Sequence, residues 1–346
     1  MTEVDIAVVG GGIIGCLTAR ELLARRPGRR VAVLDRDSVG SGASRRSAGL
    51  HFPRGATGRV RGMAAYSQQY YAELTSGRPE LPIHQVGMDV VGAEQAVRQS
   101  YLASARPTKA TPGVWQVEGG QYADVAGLTG RLFTELRGAA VVHEGTGVDA
   151  IDLGADRITL GLSSGGELTT GQLVLAPGPW IAAPAWRELL APLEVRVKKV
   201  VALHVDLVPG PTDRVIVFQA EDAFLLPLHD RGHWLFSYTC QEWGVDPDAL
   251  GGEGLSDQDL GDALAVLRTL APEYAAHCGS GRVFCDAYSG TGEPIVRPLP
   301  ADPRVVFAGA ANGSGYRLAP AIAAQAADLI DIPFPTAAGS PTRSHA

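Results

Sequence analysis

The chain holds only 4 cysteines in 346 residues, Cys16, Cys240, Cys278 and Cys285, and no two of them form a Cys-x-x-Cys pair. That spacing argues against a disulfide framework and against a zinc site or other metal, and it makes a reducing cytoplasm the expected compartment. No block of Lys and Arg interrupts a chain of net charge −7, which argues against nucleic acid as a partner. No apolar run approaches the roughly 20 residues of a membrane-spanning helix, so no membrane partner is expected. The basic region and cleavage site of a secretory signal are also missing; a strand pattern begins at Val4 instead.

What is present is apolar and rich in turns. Hydrophobic residues make up 45% and charged residues 19%, with Gly 43 and Pro 23, enough to bury a large core between many tight turns. The length suits about two domains. Val4–Val9 reads as a buried strand, Ile13 to about Arg26 as a helix, and Arg30–Leu34 as a second buried strand. Continuous apolar strands joined by a helix indicate a βαβ unit on a parallel sheet. Leu173–Ala176 and Arg304–Ala308 read as further buried strands, the latter entering the loop Gly309–Gly315 and a helix from about Ala319 to Ile330. Between them, Val195–Val208, Val215–Gln219, Ala223–Leu228 and His233–Tyr238 alternate like antiparallel strands, and Asp257–Leu270 reads as a helix. The fold class is therefore α/β, or mixed α+β. A Rossmann-type nucleotide-binding domain (1–85, 125–190 and 283–335) is interleaved with an antiparallel-sheet substrate domain (86–124 and 191–282), and a flexible tail follows at 336–346.

Gly10-Gly11-Gly12-Ile13-Ile14-Gly15 joins the first strand to the first helix, and Asp35 lies 20 residues past Gly15 at the end of the second strand. Gly10 permits the tight turn, Gly12 lets the backbone approach a pyrophosphate, and Gly15 lets the helix pack on the sheet. The helix N-terminus offers N–H groups to phosphates, and the acid accepts ribose hydroxyls. The pattern points to a dinucleotide, with FAD and NAD both open. Gly40-Ser41-Gly42-Ala43-Ser44-Arg45-Arg46-Ser47-Ala48-Gly49 follows the acidic strand directly and can wrap a cofactor; a flexible surface loop is the simpler alternative. Leu175-Ala176-Pro177-Gly178-Pro179-Trp180 ends a strand on a glycine that can pass close under a ligand. Gly309-Ala310-Ala311-Asn312-Gly313-Ser314-Gly315-Tyr316-Arg317-Leu318-Ala319-Pro320 runs from a strand into a helix, and Pro320 suits its first turn.

Taken together, VVGGGIIG, LDRDSVGSGASRRSAG, LVLAPGPW and FAGAANGSGYRLAP resemble the D-amino-acid oxidase superfamily of flavoproteins, in particular its sarcosine oxidase and glycine oxidase branch, over roughly residues 4–332. The resemblance implies FAD. It assigns the ADP half to Gly10, Gly12, Ile13, Ile14, Gly15 and Asp35 with Arg36 beside them, and the pyrophosphate and flavin to Ala43, Ser44, Ala48, Gly49 and Leu50. It places Val148 near the adenine, Gly178 under the cofactor, and Gly313, Ser314 and Gly315 near the flavin ring. Arg317 occupies the position of a carboxylate-binding lysine of sarcosine oxidases, which makes it the first substrate anchor, and Arg46 is the second; a surface or phosphate-contacting arginine is the alternative for each. Cys285, 32 residues before Arg317, matches the spacing of a cysteine bonded to the flavin in that branch, so a thioether is an expectation for it, with an inert buried thiol as the alternative. Tyr238, Tyr288, His51 and Trp243 are candidates for the cavity wall, Tyr238 as a catalytic residue, or else for the core.

The chain departs from the branch in three places. Tyr288–Pro294 is shorter than the glycine-oxidase G-x-R-P-x-T-x-D stretch and lacks its arginine. The strand His233–Tyr238 carries no lysine of the kind sarcosine oxidases use to activate oxygen. The segment after Gly92 is short, which implies a reduced lid. The expected reaction is FAD-dependent oxidation of a small amine or amino acid, with hydride passing from Cα to flavin N5, an imine as product and O2 as acceptor. The alternatives are an FAD dehydrogenase of an amino or 2-hydroxy acid with another acceptor, and a non-catalytic flavin or nucleotide binder.

Overall fold

In the computed structural model, residues 2–250 and 254–330 are described; the expected tail at 336–346 lies outside them. The strands run in the order β1 (Thr2–Val9), β2 (Val31–Leu34), β3 (Leu50–His51), β4 (Ile83–Val91), β5 (Thr108–Thr111), β6 (Val114–Ala123), β7 (Ala140–His143), β8 (Val148–Leu153) and β9 (Ile158–Leu162). They continue with β10 (Glu167–Leu175), β11 (Arg196–Val205), β12 (Val215–Phe218), β13 (Ala223–Leu228), β14 (His233–Tyr238), β15 (Cys278–Tyr288), β16 (Ile295–Leu299) and β17 (Asp302–Gly309).

The first sheet has the order β16-β17-β10-β1-β2-β7, and the β8–β9 hairpin is attached through β9 to β10. Its central strands β17, β10, β1, β2 and β7 are parallel. All of β2 is buried, as a parallel sheet covered on both faces requires. Alternate residues of β1 feed two cores. Ile6 and Val8 face the helices Ile13–Arg25 and Gly315–Ile330, with Leu17, Leu22 and Ile322. Ala7 and Val9 face Leu160, Leu173, Phe307 and Trp186.

The second sheet has the order β15-β11-β14-β13-β12-β4-β6-β3, with β5 on β6. It is antiparallel except where β12 meets β4. Helix Asp257–Leu270 starts at Ser256, whose side chain caps the N–H of Asp259. It packs Ala263 and Leu267 against Val201, Leu203 and Phe236. One face of β11, β14 and β15 is thereby covered, and the other faces the cavity described below. Among the described residues no helix is long and apolar enough to cross a membrane.

The mixed architecture is the one expected from the sequence, with corrections in detail. β10 starts well before the expected strand at Leu173–Ala176 and runs unbroken through Gly171. The expected boundaries at 85/86 and 282/283 fall inside β4 and β15, whose ladders continue across them. The last helix begins at Gly315, so Pro320 sits inside it and not in its first turn. Proline cannot donate to the carbonyl four residues back. That carbonyl, on Tyr316, instead accepts from the buried Tyr71 hydroxyl at 2.7 Å.

Candidate active site

Gly10 leaves β1 with φ +107, in the region that favours glycine, and a Cβ there would lie 2.2 Å from the Ala176 carbonyl oxygen. A Cβ on Gly15 would lie 1.8 Å from the carbonyl oxygen of Gly10, so the helix packs against the turn in a way only glycine allows. The Asp35 carboxylate accepts from the Gly11 N–H at 2.7 Å and from the Asp37 N–H at 2.9 Å. Burial raises its carboxyl above the ordinary value, against those two hydrogen bonds. The Ile13 N–H, at the helix start, donates to Ser44 Oγ at 3.0 Å. Ser44 belongs to the short helix Ala43–Arg46 inside the loop after β2. Arg36 lies over the Trp180 ring at 4.5 Å and pairs with Asp248.

These elements line one cavity of about 920 Å³, towards the upper end of the roughly 300–1,000 Å³ of ligand clefts. One end holds Gly10, Gly12, Ile13, Ile14, Asp35, Arg36 and Val148; the course continues along Ala43, Ser44, Ala48, Gly49, Leu50 and Gly178. The other end holds Gly313, Ser314, Gly315 and Arg317. Gly15 stands behind this wall in the helix–turn contact. The glycine turn at a helix N-terminus, the acid on β2 and the volume of the cavity fit a dinucleotide cofactor.

At the far end the Arg317 guanidinium donates to the Arg54 carbonyl oxygen at 2.7 Å and to Ser314 Oγ at 2.6 Å, and lies over the Phe52 ring at 4.6 Å. Among the described residues it meets no carboxylate within ion-pair distance. Burial, and next the charge of Arg54, lower its pKa to about 10. Behind it His51 is buried with both ring nitrogens unpartnered, and burial pushes it down to about 3, so it is neutral. His51 belongs to the core, as its alternative reading had it.

Strand parity decides the neighbouring residues. On β15, Phe284, Asp286 and Tyr288 line the cavity, while Cys285 points to the opposite face. Cys285 shares a small separate pocket with Arg46, Ala43 and Trp180. The structure therefore corrects both expectations: the Cys285 thiol is not presented to the cavity, and Arg46 does not reach the substrate end. Tyr238 does line the cavity, from the end of β14. Its ring stacks on Phe236 at 6.1 Å and packs with the cluster under helix Asp257–Leu270. Tyr288 and Tyr316 line the cavity as well, Tyr288 edge-on to Trp243 with ring centroids 5.4 Å apart.

Three residues went unread in the sequence. Lys198 lines the cavity from β11, the strand next to β14, with Nζ 4.9 Å from the Trp243 ring and 5.4 Å from the Tyr288 ring. Burial lowers its pKa. Its neighbour Lys199 turns to the other face and pairs with Asp259 at 2.8 Å. Arg54 lines the cavity beside Arg317. Asp286 is opposite Lys198 in the β11–β15 register, yet forms no ion pair with it. A signal existed for the lysines: two adjacent in an apolar strand must send one side chain to each face.

Burial pushes the Asp286 carboxyl up to about 6, against N–H donation from Ala287 at 2.8 Å and from Gly313. A carboxyl whose folded pKa is raised binds its proton more tightly in the folded state. Its contribution is most favourable below the unfolded value and is lost as pH rises through about 6. Asp286→Asn is therefore expected to stabilise the cofactor-free protein at pH 8 by up to about 3 kcal/mol, and by much less at pH 4. Urea unfolding of both proteins at the two pH values measures this, and an equal difference at both would refute it.

The family model described as DAO, FAD dependent oxidoreductase, matches residues 5–329. Glycine oxidase of Pseudomonas aeruginosa is 28% identical, over an alignment that covers 94% of this chain and 94% of that protein. The structure of glycine oxidase from Geobacillus kaustophilus is similar, with a TM-score of 0.75 at 20% identity, covering 95% of each chain. L-proline dehydrogenase from P. horikoshii gives 0.78 at 17% identity, covering 95% of this chain and 94% of that one. At those identities the two structures speak for the fold, while the family match spans nearly all of the described chain. With the glycine turn, the acid on β2 and the closing loop on a single cavity, this chain belongs to the DAO family of FAD-dependent oxidoreductases.

Proposed function

We propose that the protein oxidises the C–N bond of a small amino acid and passes the electrons to O2. The observation that carries this is Arg317, a guanidinium inside the cavity with no carboxylate partner among the described residues. A planar fork of that kind pairs with a carboxylate, which a simple amine lacks. FAD would be held by Gly10, Gly12, Ile13, Ser44 and Asp35 at the adenosine end, and by Gly49, Gly178 and the Gly313–Gly315 backbone towards the flavin.

FAD held by these residues would supply the two-electron acceptor for oxidation of the substrate's C–N bond. The chain's own part is to fix the carboxylate through Arg317 and to confine the substrate between Phe52, Phe224 and Tyr288. The dehydrogenase alternative drew on the lack of a lysine on β14. Lys198 supplies a cation to the cavity from β11, and a cation favours the negative charge that electron transfer places on oxygen. With Cys285 turned away, the flavin is held without a covalent bond.

The test is anaerobic mixing of the yellow holoenzyme with D-, L- and N-methyl amino acids. At least one is expected to bleach the flavin, with one equivalent of peroxide released on admitting air. Acid precipitation is expected to leave the yellow colour in the supernatant. No bleaching across the panel sinks the oxidative reading; bleaching without peroxide sinks the oxidase.

A further inference from the structure

Of the three arginines lining the cavity, Arg36 is engaged by Trp180 and Asp248 and Arg317 faces the substrate, which leaves Arg54. Its backbone is fixed on several sides. The N–H donates to the Phe52 carbonyl at 2.8 Å, the carbonyl accepts from Arg317 at 2.7 Å, and the residue bridges to Tyr101. The side chain thus leaves from a set point and lines the cavity beside Arg317. Arg317 spends donors on the Arg54 carbonyl and on Ser314, and rests a face on Phe52. The Arg54 guanidinium has no hydrogen bond and no ion pair within the described residues. Asp222, exposed and lining the same cavity, is hydrogen-bonded to Thr239 and touches neither arginine.

Two guanidinium groups side by side in a partly desolvated cavity repel, and neither is neutralised by the protein. One substrate carboxylate answers one fork. We propose that the substrate is an α-amino acid whose side chain ends in a second carboxylate, with Arg317 holding the α-carboxylate and Arg54 holding the distal one. This rests on the amino-acid reading above and narrows it to the acidic amino acids. Binding both carboxylates also fixes the direction in which the single Cα–H points, so one enantiomer is expected to react.

The experiment compares acids with their neutral isosteres on the holoenzyme. Rates of anaerobic flavin bleaching are measured for D- and L-aspartate against asparagine, and for D- and L-glutamate against glutamine. A charge-assisted hydrogen bond of about 1.5–3 kcal/mol predicts an acid-to-amide ratio in kcat/KM of about 10–100-fold. Arg54→Gln is expected to bring that ratio to about one, and Arg54→Lys to restore part of it. Equal rates for acid and amide in the wild type overturn the proposal. So does a ratio that Arg54→Gln leaves unchanged because both rates fall together, which would mean that the two arginines share one carboxylate.

A second measurement keeps the question answerable if Arg54→Gln does not fold, or if no amino acid reduces the flavin. Unreactive succinate and butyrate are titrated against the flavin absorption band of the wild type. Tighter binding of succinate by about tenfold or more supports a second anion site, and equal affinities overturn it. Failure of bleaching with every amino acid refutes the oxidative reading, whereas bleaching by neutral amino acids alone refutes only the assignment of Arg54.

Discussion

Arg317→Met is expected to lower kcat/KM for amino-acid oxidation by about 10²–10³-fold while making the cofactor-free protein more stable. The loss follows from leaving a substrate carboxylate desolvated without its partner, which costs about 3–5 kcal/mol when one member of a buried charge pair is removed. The gain in stability follows from the sign of the Arg317 shift. Its folded pKa is lowered to about 10, mainly by burial and then by Arg54. A cation whose folded pKa is depressed is penalised in the fold at every pH below that value, and the penalty is relieved only as pH rises through about 10. Methionine removes the charge and keeps an apolar side chain against Phe52. The hydrogen bonds to Arg54 and Ser314 are lost, which reduces the gain without reversing it. A thermal melt of the cofactor-free variant at pH 7 and steady-state kinetics of the loaded enzyme give both numbers. An unchanged kcat/KM removes Arg317 from substrate binding. A fall in melting temperature with a matching fall in flavin content would instead make it a brace for the loop Gly309–Gly315.

That opposition between activity and stability explains why some of the site was legible in the sequence and some was not. The βαβ opening was legible because a buried parallel strand has to be a continuous apolar run, and IAVV and VAVL are such runs on either side of a glycine turn. Arg317 was legible because it stands in a fixed spacing after the glycines of the closing loop. The side of the sheet that Cys285 takes was not legible, because a match in spacing along the chain does not say which face of a strand a residue occupies. β15 begins Cys278-Gly279-Ser280-Gly281, which reads as a turn, so its parity was hidden, and the cavity face belongs to Asp286. β6 was hidden in the same way by Gly119 and Gly120. Lys198 was not legible because β11 and β14 are far apart in sequence, and only their pairing sets Lys198 beside the strand that lacks a lysine. Arg54 follows Pro53 in a segment without periodicity, and only the contact between its carbonyl and Arg317 brings it to the site.

The glycine turn yields the other large effect, and three alanine substitutions within six residues separate its two duties. Gly15→Ala is expected to destabilise the protein by about 3 kcal/mol or more through overpacking. Its Cβ would sit 1.8 Å from the Gly10 carbonyl oxygen, a backbone atom that no side-chain rotation can clear. Gly10→Ala meets the Ala176 carbonyl oxygen at 2.2 Å and must also hold φ +107, so it is expected to be as damaging. Gly12→Ala differs in kind. Its Cβ would meet only Ser44 Oγ, at 3.2 Å, and that hydroxyl can turn aside. The Gly12 variant is therefore expected to fold with a near wild-type melt in the cofactor-free form and yet to purify with little or no bound flavin, because the added methyl stands where a pyrophosphate would approach the backbone. Soluble yield, a thermal melt and the ratio of flavin to protein absorbance decide the matter. A yellow, active Gly12→Ala protein would show that the turn serves helix packing alone and that the cofactor phosphates are held elsewhere. A stable Gly15→Ala protein would show that the helix can lift from the strand, and the close packing inferred for that turn would then be wrong.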